Sequence, residues 1–199
     1  HDATKAASEV VKMGDNPRLS GLLYPLMQAV DEVYLKVDAQ LGGVDQRKIM
    51  VLARENLPKI GHDPRIEIMH SLIPGLVGKK MSASDSQSKI DLTDDEETVR
   101  KKLNKADCVE GDPNNGVMAF LKHVIMIIKE DKKEKFFVER DKKYGGDVRY
   151  QNYDEVEKDF VNKKLHPMDL KVAVAKEIIN LLRNIDRKKL EKLAEKVYK

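Results

Sequence analysis

Residues 33–46 read Val33-Tyr34-Leu35-Lys36-Val37-Asp38-Ala39-Gln40-Leu41-Gly42-Gly43-Val44-Asp45-Gln46, an apolar, β-prone run that ends in two glycines. Val33 to Leu41 predicts a buried strand, and Gly42-Gly43 the tight turn that closes it. Asp45 stands where an N-cap would sit for a helix running to about Leu57, just before Pro58. Arg65 to Met69 reads as a second short strand. Strand, glycine turn, helix, strand is the order of a parallel α/β unit, because parallel neighbours need a crossover between them.

Upstream, Ser20 to Val30 carries Leu22, Leu23, Leu26, Met27 and Val30 at helical spacing, which predicts one apolar buried face. Tyr24, Gln28 and Asp31 fall at i, i+4 and i+7 and so share a second stripe of that helix. Downstream, the texture changes from Ser71. Pro74-Gly75 and Gly78 break the pattern, and Lys79 to Ser88 is small and polar, as a mobile loop would be. Thr93-Asp94-Asp95-Glu96 has the form of a capping box for a helix to about Lys105. Further helices are expected over 115–129, 154–162, 167–183 and 187–198, with Pro167 at a permitted first-turn position and a short extended piece at Phe136 to Val138. The expected organisation is thus an α/β part over residues 1–92 and a mostly helical part over 93–199.

Composition sets limits on function. With 41% hydrophobic and 36% charged residues over 199 positions, the chain can bury a real core and is not disordered throughout. The apolar run Val124-Ile125-Met126-Ile127-Ile128 is far too short to span a bilayer. A single cysteine, Cys108, cannot close an internal disulfide, which suits a reducing compartment, and no base stands beside it to make it a nucleophile. His62, His70 and His123 show no zinc-ligand spacing, so no structural metal is expected. The chain starts at His1, so the absence of a targeting segment carries no weight. Residues 1–92 balance 12 basic against 12 acidic side chains, and the remainder holds 25 against 22. That mildly basic second part permits contact with nucleic acid and is equally what a solvated Lys/Glu-rich helical surface gives.

Three segments carry chemistry. Taken singly, the Tyr24/Gln28/Asp31 stripe can be a solvent face, the Gly42-Gly43-Val44-Asp45-Gln46 turn a steric one, and Lys79-Lys80-Met81-Ser82-Ala83-Ser84 a linker. In this order and spacing they resemble the second half of a tyrosyl-tRNA synthetase active site, of the archaeal and eukaryotic type. The resemblance runs from His1 to about Tyr198, and the family's first half, with its His-containing phosphate motif, is absent from the sequence.

What the resemblance implies can be stated residue by residue. The fold would be the second half of a Rossmann-like parallel-sheet catalytic domain, followed by a helical anticodon-binding domain. Tyr24 and Gln28 would hold the amino end of tyrosine, Asp31 would accept a hydrogen bond from its phenol, and Gln46 would add a further contact. A buried carboxylate built to receive a hydroxyl is left unpaired by phenylalanine, and tyrosyl enzymes are themselves the standing instance of that discrimination. Gly43 and Asp45 would meet the adenosine ribose. Lys80, Met81, Ser82 and Ser84 would form the signature loop, with an ammonium and hydroxyls placed on ATP phosphates as the tyrosine carboxylate attacks the α-phosphorus. Many class I loops carry a second lysine where this chain has Ala83; Lys79 or a bound cation are the candidates to replace its charge. In the helical part, Tyr144 would stack on the first anticodon base and Asp169 would accept from its edge.

The expected activity is therefore tyrosine–tRNA ligation with ATP and Mg2+ as the substrate complex and no tightly bound cofactor. The expected partners are tRNA(Tyr), tyrosine, the missing amino-terminal half and a second copy in a homodimer, in the cytoplasm and with no membrane. The alternative is a non-catalytic RNA-binding or interaction module that uses Tyr144 and Asp169. The tryptophanyl sibling shares the fold and the loop, and the Tyr24/Gln28/Asp31 stripe argues against it.

Overall fold

The structure is a computed structural model that describes residues 2–11, 14–16, 18–78, 81–82 and 84–197. They form two compact units that divide between Leu72 and Ile73.

The first unit holds α1 (Asp2–Ala7), α2 (Leu19–Tyr34), β1 (Ala39–Gly43), α3 (Arg47–Asn56) and β2 (Ile66–His70). β1 and β2 pair in parallel, with Ala39 opposite Ile66 and Gly43 opposite His70, so the strand–helix–strand order expected of an α/β unit is present. The strand is displaced from its expected place. Val33 and Tyr34 belong to α2, and the chain leaves that helix through Lys36 at φ 52°, in the left-handed region, before β1 begins at Ala39. Val33 is claimed by packing, because it lies against Ala29, Ala53 and Leu57 between α2 and α3. Tertiary contact thus overrides its β propensity. Asp45 does not cap α3. Val44–Gln46 first forms a 3-10 turn, and the helix starts at Arg47 after Gln46, whose side chain caps nothing.

The apolar stripe of α2 is not its buried face. Pro25, Ala29 and Glu32 point inward, again at i, i+4 and i+7, whereas Leu23, Leu26 and Met27 are exposed. A second small cluster joins Ala6 of α1 to Ile49 and Leu52 of α3.

The second unit holds α4 (Glu96–Lys105), α5 (Gly116–Phe120), a π-helical turn at Leu121–Ile125, α6 (Met126–Asp131), β3 (Phe136–Val138), β4 (Val148–Tyr150), α7 (Tyr153–Val161), α8 (Pro167–Leu182) and α9 (Arg187–Val197). Residues 73–92, expected with the α/β part, fall within this unit: Leu76 is in its core and Ile90 packs against it. α4 is capped by Asp95, whose Oδ1 accepts from the Thr98 amide at 2.7 Å, so Thr93 is not the cap. Asn115 caps α5 in the same way, at 3.0 Å from the Met118 amide. β4 was not expected from the sequence; it pairs antiparallel with β3, Phe136 opposite Tyr150. The core gathers side chains from α4, α5, α7 and α8 with Phe136, Val138 and Tyr150 of the hairpin. α8 is its centre, burying Leu170, Val174, Ile178 and Leu182 along one stripe. Cys108 packs at the margin of this core, and burial pushes its thiol up to about 11. Two further helix exits use left-handed lysines, Lys133 after α6 and Lys163 after α7, at φ 56° and 58°.

Candidate functional site

Two cavities, one in each unit, hold six of the site residues singled out above: Tyr24, Gln28, Asp31 and Gln46 in the first, Tyr144 and Asp169 in the second. In the first unit α2 presents Tyr24, Gln28 and Asp31 from one stripe, and the end of β1 with the turn that follows presents Gly42 and Gln46. Together they line a cavity of about 420 Å3. Gln28 Nε2 donates to Gln46 Oε1 at 3.3 Å, and Gln46 Nε2 donates to Asp45 Oδ2 at 3.4 Å. The amides of Gln28 and Gln46 are thus held in a chain that ends on a carboxylate, which orients polar groups along one wall. Tyr24 is 46% exposed and Asp31 is also exposed, so the carboxylate expected to be buried lies open here.

The two glycines behave differently. A Cβ on Gly42 would meet the flexible end of Met50 at 2.6 Å and lie in ordinary contact with Gln46 Cβ and Cγ at 3.5 Å. One on Gly43 would lie against the Asp45 carboxylate and 2.8 Å from Leu72 Cδ2. Gly43 therefore makes room for the half-buried Asp45 to fold back along the backbone. Gln40 also lines the cavity and has a buried Oε1 without a hydrogen-bond partner. Sequence reading missed it, although strand alternation puts it on the same side as Gly42 once β1 is correctly placed.

The described residues of the signature loop, Met81, Ser82 and Ser84, fall in the second unit. Lys79, Lys80 and Ala83 lie outside the described residues, so the lysine assigned to phosphate has no geometry here. Its neighbours do. Ser82 and Ser84 hydroxyls lie 3.0 Å apart, and Met81 is 37% exposed. The Ser82 amide donates to Ser88 Oγ at 3.0 Å, and that hydroxyl donates to the Asp85 carbonyl at 2.9 Å. Ser88 is buried, and its carbonyl accepts from the Leu76 amide at 2.9 Å, which ties the end of the loop to the core.

The second cavity, about 540 Å3, lies wholly within residues 73–199 and brings Tyr144 and Asp169 together. Lys142–Tyr144 forms a 3-10 turn, and the glycines that follow it, Gly145 and Gly146, sit at φ 97° and 73°, conformations that favour glycine. Asp141 caps this turn through the Lys143 amide at 3.0 Å, and the exposed Tyr144 ring has the Lys143 ammonium 4.8 Å from its centre. Opposite, His166 accepts the Met168 amide at Nδ1 (3.2 Å) and starts α8, with Pro167 at its first position and Asp169 in its first turn. Arg140, Lys163, Lys164 and His166 also line it, with Met168 and with Glu110, which lies 3.9 Å from the Lys163 ammonium, and none of these was singled out from sequence for this cavity. A flat ring, two carboxylates and several basic side chains around one opening suit a base and its phosphates.

Among the described residues no three His, Cys, Asp or Glu side chains gather as a metal site, and no helix is long and apolar enough to cross a membrane.

The family profile described as tRNA synthetases class I (W and Y) matches residues 2–183. The chain is similar to a cytoplasmic tyrosine–tRNA ligase of Danio rerio, 50% identical over all of this chain and 38% of that protein. It is similar to the cytoplasmic tyrosine–tRNA ligase of Saccharomyces cerevisiae, 46% identical over all of this chain and 53% of that protein. A solved tyrosyl-tRNA synthetase from Archaeoglobus fulgidus, complexed with L-tyrosine, superposes with a TM-score of 0.77 at 41% identity, over 94% of this chain and 57% of that one. The chain thus spans between about two-fifths and three-fifths of the length of these relatives.

Proposed function

The chain belongs to the class I tRNA synthetases of the tryptophan and tyrosine group, and from that premise we propose that it is the part of a tyrosine–tRNA ligase that carries one wall of the tyrosine and ATP sites and the anticodon-reading domain. The observation that carries the reading is the convergence of Tyr24, Gln28, Asp31 and Gln46 on one cavity at the end of a parallel strand. Residues 1–92 are read as the second half of the Rossmann-like catalytic domain and 93–199 as the anticodon-binding domain, with 73–92 as the stretch of the former that packs in the second unit. The relatives named above support tyrosine over tryptophan, and so does a carboxylate, Asp31, that can take a phenolic hydrogen bond.

The chemistry would proceed in two steps. The tyrosine carboxylate attacks the α-phosphorus of ATP, supplied with Mg2+, and pyrophosphate leaves; the terminal ribose hydroxyl of tRNA(Tyr) then takes the tyrosyl group and AMP leaves. Tyr24 and Gln28 hold the amino end of tyrosine, and Gln46, fixed by Gln28 and Asp45, sets the third contact. Gly43 and Asp45 face the ribose, and Lys80 with Met81, Ser82 and Ser84 serves the phosphates. The working enzyme is read as a cytoplasmic homodimer that includes the family's amino-terminal half.

The test is tyrosine-dependent ATP–pyrophosphate exchange by a protein that contains this sequence joined to that half. Asp31→Ala is expected to lower exchange by at least a hundredfold. Exchange left at the wild-type rate would sink the pocket assignment.

A second reading has its own support: the cavity of Tyr144 and Asp169 is complete within residues 73–199. On that reading the chain alone is an RNA-binding module that shows no exchange. Its binding of tRNA(Tyr) weakens with salt and with Asp169→Ala, and indifference to both would count against it.

A further inference from the structure

We propose that Arg140 is a positioning residue that sets the gap between the two walls of the Tyr144/Asp169 cavity, so that one base, and guanine in preference to adenine, fits between them. The inference rests on the reading of that cavity as a site for an RNA base.

The geometry is that of a staple. The backbone amide of Arg140 donates to Asp147 Oδ1 at 2.9 Å and closes the loop that carries Tyr144. Its guanidinium then reaches two carbonyls on different segments. Nε donates to the Gly146 carbonyl at 3.0 Å, on the Tyr144 side, and Nη1 donates to the Lys164 carbonyl at 2.8 Å, two residues before His166. Both acceptors are neutral backbone oxygens, so the cation is bound by two charge-assisted hydrogen bonds and not consumed in an ion pair. A planar fork with donors in fixed directions can span two segments this way; a lysine ammonium is a single point on a flexible stem and cannot hold both at these distances.

Each segment that Arg140 joins is at a strained or constrained point of the chain. Gly145 and Gly146 are left-handed, and a Cβ on Gly145 would come within 3.6 Å of Arg140 Nη2. Lys163, just before the other acceptor, is left-handed as well. Each segment has its own turn bonds, from the Gly146 amide to the Asp141 carbonyl and from the Lys164 amide to the Asp159 carbonyl, but these stay within the segment. The guanidinium joins one segment to the other, beside the ties of Tyr150 to Asp159 and of Glu139 to Lys176. The stacking ring belongs to the segment of one acceptor, and the carboxylate to the helix that starts just after the other. A base is discriminated only while ring and carboxylate keep their separation, since a carboxylate accepts from the guanine edge at a fixed distance.

The experiment measures binding of the 199-residue chain to an anticodon stem-loop RNA with guanine at the first anticodon position and to the same RNA with adenine there, at two salt concentrations. Arg140→Ala and Arg140→Lys are compared with the wild type, with far-UV circular dichroism and thermal melting as the folding control. Wild type is expected to prefer guanine by tenfold or more. Both variants are expected to lose most of that preference, and Arg140→Lys to do so while keeping the salt dependence of the wild type, because its charge is retained. A variant that binds both RNAs more weakly but keeps the wild-type ratio would overturn the proposal and leave Arg140 as an ordinary phosphate contact. If Arg140→Ala does not fold, Arg140→Lys decides alone. Wild type without preference, together with Tyr144→Ala and Asp169→Asn variants that bind as wild type does, would overturn the base-site reading itself and the proposal with it; wild-type preference that survives in the Arg140 variants overturns the proposal only.

Discussion

Glu32 follows Asp31 in sequence, about 100° further round α2, and is buried to 5% exposure while its neighbour is open. Burial raises its pKa above the ordinary glutamate value, Glu67 adds to the effect and Arg65 opposes it. Around it the polar groups are incompletely matched: Glu67 pairs with Arg54 at 3.3 Å, but Glu67 Oε1 and Arg65 Nε are buried without partners. A carboxyl whose pKa is raised on folding holds its proton more tightly in the native state. Stability is therefore greatest below the unfolded glutamate value and falls as pH rises through the folded one. Glu32→Gln should match the wild type near pH 4 and melt higher at pH 8, by about 2–4 °C for each kcal/mol relieved. Thermal melts at the two pH values check this, and a variant that gains nothing at pH 8 would show that Arg65 already neutralises the buried charge.

Among the site residues, those that share one element were legible from sequence. Tyr24, Gln28 and Asp31 announce a common stripe by spacing alone, and the structure does line one cavity with them. Arg140 was not legible, because its partners at Gly146 and Lys164 are set by tertiary approach and nothing local marks an arginine that will find them.

At the scale of elements, helices were easier to read than strands. α8 was expected over 167–183 and spans Pro167–Leu182, since proline, cap and a sustained apolar stripe agree. The first strand was misplaced because Val33-Tyr34 looks extended when read locally, while the neighbouring helix α3 offers a better surface for it. β4 was missed because three residues carry too little pattern to outweigh a loop reading. The start of α5 offers a sharp test of packing. A Cβ on Gly116 would collide with the Gly75 carbonyl oxygen and lie 2.8 Å from the carbonyl carbon, with Leu76 Cα at 3.1 Å. These are backbone atoms that cannot swing aside. Gly116→Ala should thus destabilise by about 1–3 kcal/mol despite alanine's better helix propensity, as read by urea denaturation. Unchanged stability would mean that residues 75–76 yield at no cost.

At the scale of the molecule, the two units are unequally built. The second has one continuous core across helices and hairpin, whereas the first has two separate clusters of three buried side chains, with Ala7 and Met50 buried outside them. Small domains with thin cores struggle to offset chain entropy. Residues 73–199 produced alone should retain helical circular dichroism and melt cooperatively, and residues 1–72 alone should not. A cooperative melt from the shorter piece would refute this ranking. Both units also release their helices through left-handed lysines, at Lys36, Lys133 and Lys163, positions where glycine is ordinarily favoured. An engineer who seeks thermal robustness would replace all three. At Lys163 that choice also withdraws a positive charge from the rim of the Tyr144 cavity, so on the proposed reading of that cavity hardiness and grip on RNA are antagonists at that position.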